Sequence, residues 1–233
     1  MRAVVRGTLK SLLRCGLAAG VIATVGLAGP AAADPNPITP GVYGDPVAAA
    51  EYWRPQLADD SCGLMAVADV VGEITGDLPT EQEMVDLAEN TPSVSQEGPI
   101  YLDPDAPGGG EGISYKDLVV LLAHFDIPSK VTYNEIADET GVPTGLPSLE
   151  QYLGQGRKVI AFVNSAIIWK DSEEQHDSSD HYLVVTGVDT NTNSVHLNDS
   201  GAEENGANEQ VPVDTFLAAW DTGDDTMIVT DAA

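Results

Sequence analysis

Asp59-Asp60-Ser61-Cys62-Gly63-Leu64-Met65-Ala66-Val67-Ala68-Asp69-Val70-Val71-Gly72-Glu73-Ile74-Thr75-Gly76 is the stretch on which the reading of this chain turns. Leu64, Val67, Ala68, Val71 and Ile74 recur at three- and four-residue spacing, the period of an apolar helix face, and Gly76 stops the run. Cys62 therefore falls at or near the first turn of a helix. Free backbone N–H groups and the positive end of the helix dipole there favour a thiolate over a thiol. An inert core cysteine would more naturally fall mid-helix on the apolar stripe. Gly63 leaves room for another backbone, such as a substrate's, to come close. Asp59 and Asp60 act in the opposite sense, as like charges that resist ionisation of the thiol unless they point away from it.

Upstream, residues 1–14 carry Arg2, Arg6, Lys10 and Arg14 and no acidic residue, and Cys15–Ala28 is an apolar run of 14 residues ending near Ala31-Ala32-Ala33. A basic start, a short apolar core and an A-x-A end are the parts of a secretory signal peptide. The run is shorter than the roughly 20 residues a membrane span needs, so cleavage after Ala33 is expected, with no stable membrane insertion afterwards. Arg14 directly before Cys15 argues against lipidation of that cysteine. Asp34–Asp45, with its prolines, reads as an extended arm, taken here to residue 50, before a domain over 51–233.

All four signal-peptide charges are basic, so residues 34–233 keep six Lys and Arg against 37 Asp and Glu, a formal charge of −31. Such a chain lacks the basic patches that neutralise phosphates, which excludes nucleic acid as an expected partner and disfavours anionic membranes. Once Cys15 leaves with the signal peptide, Cys62 is the only cysteine. A lone thiol in an exported chain implies an intermolecular bridge, a reactive group or a small buried apolar residue.

Downstream of Gly76, Thr80 and Glu83 form a capping box for a helix over Met84–Ala88. A long Gly- and Pro-rich loop, Asn90–Gly112, follows, of a length that is usually functional or mobile. Ser114 can cap a helix over Tyr115–His124, and Ser148 a short one over Leu149–Leu153. Lys130–Tyr133, Lys158–Val163, His181–Val188, Val195–Asn198 and Thr226–Val229 read as strands, with a helix at Val213–Trp220. Helices precede strands, so the expected fold is α+β, with N-terminal helices packed on an antiparallel sheet.

A thiolate nucleophile needs a base and an orienting group. His124 ends an amphipathic helix, His176 lies in an acidic loop and His196 is inside a strand, so each has a structural reading. His181 opens a strand directly after a polar loop, at a sheet edge. If His181–Val188 and Val195–Asn198 pair through the Asp189–Ser194 turn, Asp199, or else Asn198, comes beside His181. Gln56, six residues before Cys62, has an amide able to donate to an oxyanion. Asp189-Thr190-Asn191-Thr192-Asn193 begins like a calcium loop but lacks its glycine and glutamate, and reads as a hairpin turn. Trp220 reads as core; Trp53 and Trp169 stay open between core and cleft.

Gln56 with Asp60-Ser61-Cys62-Gly63, then His181-Tyr182-Leu183-Val184-Val185-Thr186-Gly187, then Asn198-Asp199-Ser200-Gly201, resembles the bacteriocin-leader-peptidase-like branch of the papain-fold cysteine peptidases. Phe216 and Trp220 match the family's usual ending. The resemblance implies a papain-like α+β fold and amide hydrolysis without a cofactor. It gives Gln56 to the oxyanion hole, Cys62 to attack, His181 to the base and Asp199 to its orientation. Many relatives have Cys-Gly-Pro where Cys62-Gly63-Leu64 stands, and Asp-Pro where Asp199-Ser200 stands. Nothing resembles the ATP-binding transporter domain of true leader peptidases, so processing coupled to export is not expected. The acidic, alanine-rich chain is also similar to exported proteins of actinobacteria, mycobacteria especially. The expectation is a secreted or cell-envelope thiol hydrolase acting on a peptide or other amide. The alternatives are a non-catalytic binding protein that keeps the fold, or an amide acyltransferase or peptidoglycan amidase.

Overall fold

The computed structural model describes residues 41–107, 109–110, 112–171, 176–202 and 204–232. The expected signal peptide lies outside the described residues. Along the chain run β1 (Val42–Gly44), α1 (Pro46–Ala49), a 3₁₀ turn (Ala50–Tyr52), α2 (Cys62–Thr75), α3 (Glu81–Glu89) and α4 (Tyr115–His124). Then follow β2 (Ser129–Thr132), α5 (Asn134–Thr140), α6 (Leu146–Gly154), β3 (Val159–Val163), α7 (Ser165–Ile168) and β4 (His181–Asp189). The chain closes with β5 (Ser194–Asn198), β6 (Glu209–Pro212), α8 (Val213–Asp221) and β7 (Met227–Thr230).

The strands form one antiparallel sheet in the order β2-β7-β3-β4-β5-β6. β4 is the longest strand and serves two neighbours on one edge: its first half pairs with β3 and its last three residues with β1. A register shift between Val185 and Gly187 marks the changeover. The part of the presumed arm that is described is thus extended only at Val42–Gly44, where it completes the sheet. From Pro46 it turns helical, because the Asp45 side chain accepts from the Ala48 N–H (3.1 Å) and Pro46 fits a helix's first turn.

Alternation along the strands divides the core in two. Ile160, Tyr182, Val184 and Ile228 face α2, α3 and α4. Ala161, Leu183, Val185, Leu197 and Val229 face α6 and α8, where Phe216 and Trp220 are fully buried. A sheet covered on both faces reads as continuous apolar runs, which is why HYLVVTGV carries no polar alternation. α2 is enclosed over its first three turns, from Cys62 to Gly72. No helix among the described residues is long and apolar enough to cross a membrane.

The helix starts at Thr80 and Ser114 are as expected, the first with both halves of its capping box present. Leu149–Leu153 begins earlier than its serine suggests: α6 starts at Leu146, after Gly145 at φ +86°, with Pro147 in its first turn.

Candidate active site

Cys62 begins α2 and is a free thiol, 8% exposed. Ser61 precedes it but gives the helix no side-chain cap. Its hydroxyl donates instead to Ala58 O (2.9 Å) and Glu81 Oε1 (2.5 Å). The first-turn N–H groups around Cys62 are therefore left without a side-chain acceptor, the condition under which a helix start receives an anion. Gly63 also answers a packing need. A Cβ there would lie 3.1 Å from Leu118 Cδ2 and 3.3 Å from Tyr182 Cδ2, so it is close packing against α4 and β4 that requires glycine.

The segment leading to Cys62 is held from α3. Glu81 accepts from Leu57 N on both oxygens (3.0 Å each) and from Ala58 N (3.1 Å), besides Ser61. The Asp60 carboxylate accepts the Tyr101 hydroxyl (2.8 Å), which joins it to the 90–112 loop, and Asp59 is exposed. That loop is packed down here: Ile100, Tyr101 and Ile113 are buried in the same cluster as Cys62, and Tyr182 Oη donates to Ile113 O (3.0 Å).

β4 delivers His181 and the end of β5 delivers Asp199. Val184 opposes Asn198 in the ladder, so the residue after β5 reaches the start of β4. His181 Nε2 is 2.7 Å from Asp199 Oδ1, and both residues are buried. Cys62 is the other ionisable group that acts on the imidazole. Burial by itself would lower the imidazole's pKa. The hydrogen bond to Asp199 and the nearness of the Asp199 and Cys62 charges outweigh it and raise His181 to about 10. Burial pushes Asp199 the other way from its net result: donors from His181, Trp169 and Gly201 hold its carboxyl below the ordinary value.

Asp199, and not Asn198, faces the histidine. Asn198 Nδ2 donates to Ala49 O and Asp69 Oδ2 (2.9 Å each), on the helical side of the sheet. Both open tryptophans belong to the site. Trp169 Nε1 donates to Asp199 Oδ2 (2.8 Å), with its ring 5.2 Å from that of His181 and 43% exposed, so it forms a wall over the pair. Trp53 Nε1 donates to the Asp199 carbonyl (2.6 Å). Gly201 permits this closeness, since a Cβ would come within 2.8 Å of Trp169 and 2.9 Å of His181.

Gln56 stands beside these groups with its amide already engaged. Nε2 donates to Ala58 O and Asp59 O (3.0 Å each), and Oε1 accepts from Ser200 Oγ (3.0 Å). Gln56 N donates to Ser200 O (2.9 Å), so the residue after Asp199 clasps the glutamine on backbone and side chain alike. The other histidines lie elsewhere. His176, in its acidic loop, is held by Asn164 (3.2 Å) and by Asp180 (3.2 Å); His196 Nδ1 meets Asn208 Oδ1 (2.7 Å). The Asp189 carboxylate accepts from Asn191 N (2.8 Å), as a hairpin turn does.

Residues 52–226 match the model of the Peptidase C39-like family. The chain belongs to that family. Uncharacterized proteins of Mycobacterium tuberculosis and Mycobacterium bovis are 47% identical to it over 222 residues, spanning 92% of this chain and 93% of theirs. A solved C39-like peptidase from Bacillus anthracis shares the fold, with a TM-score of 0.55 at 15% identity over 82% of this chain and 98% of that one. The α+β architecture, helices on an antiparallel sheet, is thus that of the C39 cysteine peptidases.

Proposed function

We propose that this chain is a secreted cysteine peptidase that cleaves amide bonds through an acyl-enzyme on Cys62. The observation that carries the reading is the buried His181–Asp199 pair, 2.7 Å apart, with Cys62 at the start of α2 near enough to act on the imidazole. Attack by the Cys62 thiolate, with the His181 imidazolium as its counter-ion, forms the C–S bond and places negative charge on the carbonyl oxygen. The Cys62 backbone N–H receives that oxygen, joined by Gln56 Nε2 once it exchanges one loop carbonyl for the substrate. His181 gives its proton to the departing amine as the C–N bond breaks. It then takes one from water, which hydrolyses the thioester and restores the thiolate. Asp199 holds the imidazole in orientation throughout. The basic, apolar and A-x-A segments of residues 1–33 support export.

Labelling with a thiol-reactive peptidyl inhibitor tests the proposal. Cys62 is expected to react far faster than free cysteine at neutral pH, and Cys62→Ala to abolish both labelling and peptide hydrolysis. A Cys62 that reacts no faster than free cysteine overturns it.

A further inference from the structure

Two turns beyond Cys62, α2 carries a second set of buried ionisable groups. Asp69 is 5% exposed, and one turn on the Glu73 side chain is 4% exposed. Asp69 Oδ2 accepts from Asn198 Nδ2 (2.9 Å), and Glu73 Oε2 pairs with Lys158 Nζ (2.6 Å), just before β3. Asp69 and Glu73 stand one helical turn apart, and their two remaining oxygens, Asp69 Oδ1 and Glu73 Oε1, are both buried and find no donor among the described residues. Two carboxylates cannot donate to one another. One proton shared between them gives every oxygen a partner. It also leaves one negative charge between them opposite Lys158.

Asn198 makes this pair matter for catalysis. Its two amide hydrogens go to Ala49 O and Asp69, and its Oδ1 takes the Asn208 N–H (3.0 Å), so it fastens the end of β5 to α1, α2 and the start of β6. The next residue is Asp199. We propose that Asp69 is a positioning residue: as a neutral acid bonded to Asn198, it locks the helix that carries Cys62 to the strand end that carries Asp199. The charges and polar groups facing Asp69 are Glu73 from its own helix, Lys158 before β3, Asn198 from β5 and, across a small cavity that Asp69 and Asn198 also line, Arg54 and Ser200. Burial and the Glu73 charge push its carboxyl well above the usual range, in agreement with a retained proton. The proposal rests on the assignment of Cys62, His181 and Asp199 given above.

Asparagine can imitate a neutral acid here, its oxygen accepting from Asn198 and its nitrogen donating to Glu73; leucine fills the space and does neither. Cys62-specific alkylation by iodoacetamide, mapped by mass spectrometry on the full chain, is expected to stay within about twofold in Asp69→Asn and to fall about tenfold or more in Asp69→Leu, the cost of an unmade buried hydrogen bond. Urea unfolding between pH 4 and 9 gives the second measure. The folded wild type holds a proton that the unfolded chain releases above about pH 4, so its stability falls with rising pH relative to Asp69→Asn. The lead of Asp69→Asn must therefore widen as pH rises. A flat or narrowing lead overturns the neutral acid, as does an Asp69→Asn variant as impaired as Asp69→Leu. If the lead widens but Asp69→Leu alkylates like wild type, the positioning role is overturned. A wild type that passes both tests and cleaves no peptide refutes the peptidase assignment while leaving the proton pair standing.

Discussion

Asp199 and Asp69 are both buried, stand on either side of Asn198, and are driven to opposite states. Burial raises both. Asp199 meets donors from three directions: the His181 ring, the Trp169 indole and the Gly201 N–H. Asp69 meets one amide and another carboxylate. The lesson is that depth decides only the cost of a charge, and the neighbours' hydrogens decide whether the charge is kept. One strand end thus holds an anion on its cleft side and an acid on its helical side.

Asp199→Asn breaks the first half of this comparison and carries the largest expected effect. Cys62 alkylation at neutral pH should drop about 10²–10⁴-fold, the range lost with acid–base function. The same variant should change the pH profile of unfolding. His181 is raised in the folded state, so its contribution to stability is full below about pH 6.5 and lost as pH climbs toward 10. Without the Asp199 charge that window should contract from its upper end, as NMR titration of the His181 ring can show.

Trp220→Ala removes a fully buried ring that touches neither aspartate, its Nε1 bonded to Thr226 O (2.8 Å). A loss of about 3–5 kcal/mol in urea unfolding is expected. The slope of stability against pH should be unchanged, since both carboxyl environments survive. Lys158→Met sharpens the second half: it takes away the cation paired with Glu73 and should cost about 1–3 kcal/mol at pH 7. Glu81→Gln is the mildest. It weakens the acceptor that holds Leu57, Ala58 and Ser61, and a loss of ~1 kcal/mol is expected, with kcat lowered more than KM is raised in peptide hydrolysis.

Much of the fold was legible because its signals are local. Thr80 with Glu83, Gly76 after α2 and the β-branched run of β4 each act within a few residues, and each element formed close to its expected bounds. Cys62, His181 and Asp199 were legible from order, as a helix start, a strand start and the end of the next strand. β6 was not, because Glu209-Gln210-Val211-Pro212 is polar and ends in proline, and pairs only as an edge beside β5. Asn134–Thr140 and Ser165–Ile168 are short helices fixed by contacts rather than by apolar period. Glu81 looked like a helix-starting acid, which it also is, and its grip on Leu57 spans 24 residues. Trp169 lies 30 residues from the carboxylate it binds, and Asp69 129 residues from Asn198. Spacing cannot reveal such pairs, because the sheet and not the sequence makes them neighbours.

The distance along the chain between Cys62 and His181 has a bearing on timing. Cys62, the proposed nucleophile, is synthesised more than a hundred residues before His181, its proposed base. A ribosome adds residues from the N-terminus onward, so α2 can form while the thiol still has neither imidazole nor carboxylate beside it. Closing so long a loop is slow relative to forming a helix. On the proposed function, a nascent or truncated chain is therefore an unarmed one, and cutting power would arrive only when the last strands are laid into the sheet.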